Sequence, residues 1–455
     1  MSTAVTSGGS YVELALDLLD QAKGNGATDA EVMVVDGETL SVQVRMSAVD
    51  RLTKAREKRL GLRVFIGKRS ATTSTSDFSK ASLTQLVADT CALARAVVED
   101  EMSGLPEGDH CAGELPDLDL YDETRLTTEQ QIDHARTAER TALSADPRIT
   151  NSEGAEFDWS TGSIVLANSR GFSGQYRATN YSLSVAPVAR DPDNGTMQRD
   201  SWYAVQRKYA KLDSPESIGL EAARRTIRRL GAKRVATKRV PVVFDQEMAA
   251  GLLSQLCSAL SGYALYKGAS YLVGQLGQKI APETVTIYDD GRMVGGLGSK
   301  PFDGDGLPTR RTVVVEQGLL KSYLLDTYSG RKLGLASTGN ASRSVGDSPG
   351  VGPTNFYLSP GTQSAEQIIG GIKEGLYVTE LIGFGVNMVT GDYSRGAVGF
   401  WIKDGELAFP VEEITIAGNL KDMWLNIEEI GNDLRFRGRI ASPTIKLHEM
   451  TVAGS

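Results

Sequence analysis

Between Arg239 and Leu272 the chain reads RVPVVFDQEMAAGLLSQLCSALSGYALYKGASYL, an apolar, β-branched run feeding directly into an amphipathic one. No other stretch restricts the fold as much, because a buried strand must be built into a sheet and the helix after it must lie against that sheet. Val240 to Phe244 is the strand. Asp245 is placed to cap the helix, and Glu247 falls in the first turn, where the helix dipole favours a carboxylate. Ala249, Leu252, Leu253, Leu256, Leu260 and Tyr263 recur at helical spacing, which predicts one helix of about twenty residues, stopped near Lys267-Gly268. Its other face carries Ser254, Gln255, Cys257, Ser258 and Ser261. A zinc hydrolase presents two imidazoles a turn apart on such a helix, with a carboxylate beside the first. No side chain on this helix holds a metal tightly.

The chain as a whole falls into three stretches. The first, 1–105, predicts helix, hairpin, hairpin, helix, with turns at Asp36-Gly37 and Gly67-Lys68. An acidic, proline-containing connection follows, and a second α+β unit occupies 120–232, opened by a Thr127/Gln130 capping box and closed by a helix with Ser214-Pro215 at its start. The third, 237–455, holds most of the glycine and reads as a β-rich domain with a long Gly/Ser/Asn-rich loop over 337–358. The predicted class is α+β, with N-terminal units on largely antiparallel sheet and a β-rich C-terminal domain.

Composition excludes several functions. A formal net charge of −8 argues against binding nucleic acid by neutralising phosphates, and the one basic run, Arg224 to Arg239, reads as a solvated or ion-paired helix face. No apolar run is long enough to span a bilayer, and nothing resembles a secretory leader, so a cytoplasmic location is expected. The three cysteines, Cys91, Cys111 and Cys257, are too few and too scattered for a disulfide framework. Only His110, His134 and His448 are available as imidazoles. His448-Glu449 lacks a second histidine, and Gly383-Phe384-Gly385 lacks the third glycine of a dinucleotide loop. Cys257 or Ser258 could act as a nucleophile, though no histidine lies near either in sequence. Asp289, Asp290, Asp303 and Asp305 sit in a Gly-rich loop system, where Asp-Gly pairs are favoured in turns and a peptide groove is the alternative.

Five ordered segments carry a family resemblance: GLRVFIGKRSATTSTSDFSKASL (61–83), KGASYLVGQLGQKIAPETVTIYDD (267–290), GLGSKPFDGDGLPTRRTVVVEQGLLKSYLLDTYSGRKLG (296–334), STGNASR (337–343) and NDLRFRGRIASPTIKLHEMTVAG (432–454). Together they resemble the TldD/PmbA family, whose members are also called modulators of DNA gyrase. The resemblance implies a paired system of cytoplasmic proteins: a zinc metallopeptidase, TldD, and a partner, PmbA or TldE, acting on unfolded or leader peptides. The catalytic member's His-Glu-x-x-x-His motif would fall near Leu253 to Ser258, and its zinc-binding Cys between Gly431 and Ile445. This chain has neither, so it resembles the PmbA (TldE) side, and no catalytic or metal-binding residue carries over. The expectation is a non-catalytic subunit with no cofactor of its own, zinc residing on a TldD-like paralogue in a heterodimer, and a homodimer when alone. Ser254, Cys257, Ser258, Asp303 and Asp305 are the expected lining of a peptide groove. The alternatives are a Cys/Ser hydrolase and a gyrase- or nucleic-acid-binding regulator.

Overall fold

The computed structural model describes residues 8–107 and 115–454, so His110 and Cys111 lie outside the described residues. α1 (Gly8–Gly24), β1 (Asp29–Arg45), β2 (Ala48–Ile66), β3 (Arg69–Thr75) and α2 (Lys80–Ala96) make the first stretch. α3 (Thr128–Ala145), β4 (Ile149–Asn168), β5 (Ser173–Arg190), β6 (Met197–Arg199), β7 (Trp202–Gln206) and α4 (Pro215–Ile227) make the second. Both contribute to one seven-stranded antiparallel sheet, ordered β3-β2-β1-β4-β5-β6 with β7 also on β5. The join is β1 against β4, Glu31 to Val44 facing Asn168 to Ala155.

The turn expected at Asp36-Gly37 is absent, because β1 runs straight through it. Val32 and Val34 face α1 and α2, packing with Leu18, Leu19, Leu83 and Val87. Further along the same face, Leu40, Val42 and Val44 meet Ala135 and Ala138 of α3 and Ile218 of α4. Asp36 falls in the gap between these two cores, where Tyr11 Oη donates to it at 2.8 Å and Arg56 pairs with it at 3.2 Å. The β1–β2 turn is instead Met46-Ser47, both at positive φ. The buried Glu139 carboxylate of α3 holds that tip, accepting from Met46 N at 2.9 Å and Ser47 N at 2.8 Å. The Gly67-Lys68 hairpin, the Thr127/Gln130 capping box and the Ser214 cap all form as expected.

β8 (Lys238–Phe244) and α5 (Gln246–Ala259) open the third stretch, and Asp245 accepts from Met248 N at 2.9 Å as the cap. The single long helix is corrected to two, since α6 (Gly262–Tyr266) starts afresh after α5. At the break Leu324 N donates to Leu260 O at 3.0 Å and Gly262 N donates to Leu324 O at 2.8 Å, so strand-like pairing replaces a helical turn. A Cβ on Gly262 would lie 2.3 Å from Ser329 Oγ, so only glycine fits there. Lys267 then caps α6, and Gly268 takes φ +67°, the stop the sequence predicts.

The remaining elements are β9 (Ile287–Asp290), β10 (Arg311–Glu316), β11 (Leu319–Leu320), α7 (Thr327–Leu333), β12 (Ala341–Ser342), β13 (Gly350–Val351), β14 (Phe356–Leu358), α8 (Ala365–Gly370), β15 (Glu374–Ile382), β16 (Asp392–Lys403), β17 (Glu406–Asn419), α9 (Leu420–Leu425), β18 (Ile427–Ile430), β19 (Ile440–Ala441) and β20 (Ile445–Ala453). β8, β15, β16, β17 and β20 close into a ring, parallel only between β8 and β15, with β18 paired on β20. A smaller sheet is ordered β11-β10-β9-β14-β19. Leu252, Leu253 and Leu256 of α5 share one core with Phe356 and Leu358 of the smaller sheet and Leu376 and Val378 of the ring.

The Gly-rich run after α7 is anchored to the N-terminal sheet. It carries Arg343 onto Glu31, which Arg343 and Arg63 share at 2.5 and 3.2 Å, all three almost out of solvent. A Cβ on Gly61 would lie 2.7 Å from Gly346 N, so the backbones approach closely. Phe302 packs edge-on against Phe172 and Tyr176 at centroid distances of 5.2 and 5.3 Å. Glu31 alternates with Val32 along β1, so the C-terminal domain sits on the sheet face that α1 and α2 leave free.

Candidate functional site

α5 lies where the second stretch meets the third. Its N-cap, Asp245, is 6% exposed. Burial pushes its carboxyl up to about 6, against the opposing pull of the Met248 amide and the Arg225 guanidinium. Glu247, one turn in, accepts from Tyr203 Oη of β7 at 2.8 Å and lies 3.3 Å from Arg437 Nε. Arg437 and Arg225 both stand over the Trp202 ring, at 4.1 and 4.9 Å. The helix start is therefore fixed to the N-terminal sheet on one side and to the segment leading into β19 on the other.

Cys257 is not on the exposed face where the sequence puts it. It is 6% exposed among Leu253, Leu256 and Leu260, and burial, together with the nearby Asp289, pushes its thiol well above its ordinary value. A protonated, enclosed thiol is no nucleophile. Ser258 is exposed, but its hydroxyl donates back to Ser254 O at 3.0 Å, the usual internal bond of a helical serine. His134 is engaged by Tyr209 Oη and Gln130 O, and His448 pairs with Glu428, so neither described histidine is bonded to Ser258 or Cys257.

Asp303 and Asp305 are interior as well, at 2% and 6% exposure, and this corrects their expected place in a groove lining. Asp303 accepts from the backbone N–H groups of Asp305, Leu307 and Ala341 at 2.9–3.0 Å, and Asp305 accepts from Thr327 N at 2.9 Å. Burial, and then the Asp305 charge, push the Asp303 carboxyl up to about 7. Asp289 accepts from Asn340 Nδ2 at 2.7 Å and Thr354 N at 2.8 Å. Lys300 lies inside this acidic set and donates to Ala341 O at 2.7 Å, its ammonium pK lowered by burial. The result is a sealed ionic network that pins the Gly-rich loops. Asp-Gly turn chemistry points to the loops but gives no sign that an internal lysine organises them.

Of the five expected groove residues, the structure leaves only the neighbours Ser254 and Ser258 on an accessible helix face. Sequence reasoning passed over Tyr203, Trp202 and Arg437; the alternating Arg435-Phe436-Arg437-Gly438-Arg439 run was the available signal for the last.

The α5 face does not suit a zinc ion. It offers hydroxyls and an amide where imidazoles are needed, and Asp289, Asp303 and Asp305 are committed to amide donors. Among the described residues, no group of three or more His, Cys, Asp or Glu side chains is placed to hold a metal.

The basic run Arg224 to Arg239 is largely paired. Arg224 meets Glu221 at 2.7 Å, Arg225 meets Asp200 at 3.3 Å, Arg229 meets Glu380 at 2.6 Å and Arg239 meets Glu449 at 3.1 Å. Arg228 lies over Phe400 at 4.8 Å. The run thus fastens α4 to the C-terminal domain instead of presenting a free cationic surface.

Family models match in three consecutive blocks: PmbA/TldA metallopeptidase domain 1 over residues 30–94, the central domain over 121–230 and the C-terminal domain over 237–454. The metalloprotease PmbA of Escherichia coli O157:H7 is 38% identical over 452 residues, 98% of each chain. A Bacteroides thetaiotaomicron protein named for modulation of DNA gyrase superposes with a TM-score of 0.91 at 28% identity, covering 99% of this chain and all of that one. TldE from Thermococcus kodakarensis shares the fold with a TM-score of 0.84 at 23% identity, covering 96% of this chain and 99% of that one.

Proposed function

This chain belongs to the PmbA/TldD metallopeptidase family, and from that premise we propose that it is the non-catalytic subunit of a two-component zinc peptidase. The observation that carries the reading is the accessible face of α5, where Ser258 is exposed and Ser254 and Gln255 are half-buried, with no imidazole or carboxylate among them. A metallopeptidase must polarise the scissile carbonyl and activate water, and these side chains do neither. The zinc then belongs to a TldD-like paralogue, with which this chain forms a heterodimer in the cytoplasm; alone it pairs with itself. Among the described residues, no helix is long and apolar enough to cross a membrane.

The substrate is an unfolded or leader peptide. β19 ends its sheet and packs against α5, so an extended chain added along β19 would run beside that helix. Main-chain hydrogen bonds give affinity there with little demand on sequence.

The test is to purify the chain alone and with its zinc-bearing paralogue, then to measure zinc per protomer and cleavage of an unfolded peptide with and without chelator. The expected result is a metal-free, inert chain and a zinc-loaded, chelator-sensitive mixture. Chelator-insensitive cleavage by the lone chain would replace this reading with a Cys/Ser hydrolase.

A further inference from the structure

A second feature lies on the ring of strands, away from α5. β8 and β15 are hydrogen-bonded only where Val242 to Phe244 meet Leu376 to Val378. N-terminal to that ladder the pairing stops, although the backbones of Pro241 and Gly375 still lie close together. Pro241 has no N–H to offer there, and a Cβ on Gly375 would lie 2.8 Å from Pro241 O. On the other side of β8 the register with β20 also slips, between Leu447 and Met450. The opening is a cleft of about 670 Å³, within the range of small-ligand sites.

Its walls are cationic in a chain whose net charge is −8. Lys238, Arg239, Lys373, Lys403 and Lys446 line it, with Trp401 as the aromatic wall, against only Glu374 and Asp404 of opposite sign. Three of the cations are satisfied by carboxylates of the strands themselves: Lys238 by Glu374, Arg239 by Glu449, and Lys446 by Glu428 and Glu429. Lys373 and Lys403 have no acidic partner among the described residues. Glu374 faces Lys403 directly in the β15–β16 ladder, yet its carboxylate goes to Lys238 across the gap.

We infer that this cleft is a binding site for a carboxylate-bearing ligand, held by Lys373 and Lys403 against Trp401. The other cations of the cleft are already held by carboxylates, and ammonium groups, as point charges, need no forked geometry to take those of a free polyacid or of acidic residues in an extended peptide. The site is independent of zinc and of the α5 face.

Trp401 supplies the readout. Citrate, a hexaglutamate peptide and inorganic phosphate are titrated into the full chain while tryptophan emission is followed, with Trp401→Phe to assign the signal to the cleft. The expected result is a saturable, salt-sensitive change with citrate or hexaglutamate, absent in Trp401→Phe and weakened about tenfold or more in Lys373→Gln/Lys403→Gln. Both lysines are exposed, so the double variant should keep the parent's circular dichroism and melting temperature. Binding of citrate alone assigns a free polyacid, and stronger binding of hexaglutamate assigns a peptide. A response to phosphate only, no saturable response to any probe, or an equal response in the folded double variant would overturn the inference.

Discussion

At the scale of single residues, the ionisable groups around α5 are held in forms their exposed counterparts would not take. Cys257 is enclosed and protonated. It should resist iodoacetamide in the folded chain at pH 7.5 and react once urea is added, as read by mass spectrometry of the peptide that carries it; rapid labelling of the native chain would contradict the burial. Asp245 gives a pH signature. Its carboxyl is raised from 3.8 to about 6, so the folded chain keeps a proton through that interval which the unfolded chain has lost. Its contribution to stability is therefore fully present below pH 3.8 and fades as pH rises to about 6. Asparagine caps a helix as well as aspartate does. Asp245→Asn should therefore gain on the parent between pH 4.5 and 7, by on the order of 2 kcal/mol, in denaturant melts at the two pH values. An equal difference at both would mean that the Arg225 contact offsets the burial. The Asp245 cap could be read from the sequence because it is a local pattern; the burial of Cys257 could not, because the strands that cover its side of α5 are distant in the chain.

At the scale of elements, the α5–α6 break shows where local pattern stops being informative. The apolar spacing runs on from Ala249 to Tyr263, so periodicity alone sees one helix. What divides it is Leu324, about sixty residues later, whose backbone takes both hydrogen bonds at the junction. Gly262→Ala would force a methyl into Ser329 and Leu325. The expected cost is about 1–3 kcal/mol in a chemical melt, whereas Gly268→Ala, with nothing within 4 Å, meets only the strain of its positive φ. If Gly262→Ala is neutral, α6 and α7 do not pack as closely as described. The Asp36-Gly37 misreading has the same origin: the pair looks like a turn, and only the presence of a helix pair on each side explains a polar residue in mid-strand.

At the scale of the whole molecule, the α+β class and the β-rich third stretch were legible in periodicity and turn residues. The docking between stretches was not, because Arg343, Glu31 and Arg63 are ordinary charges in sequence and become a buried triad only across more than three hundred residues. Arg343→Ala removes one of the two partners of Glu31 and should cost about 3 kcal/mol, with little dependence on salt because the pair is shielded from counterions. Urea melts at low and high sodium chloride check both points, and a cost that vanishes in salt would show the triad to be wet. The β1–β4 join has a consequence for biosynthesis. A ribosome delivers β1 more than a hundred residues ahead of its partner. Until β4 emerges, the nascent chain exposes a seventeen-residue strand with one edge bare, so through this interval of translation a chaperone that covers the edge guards against wrong pairing.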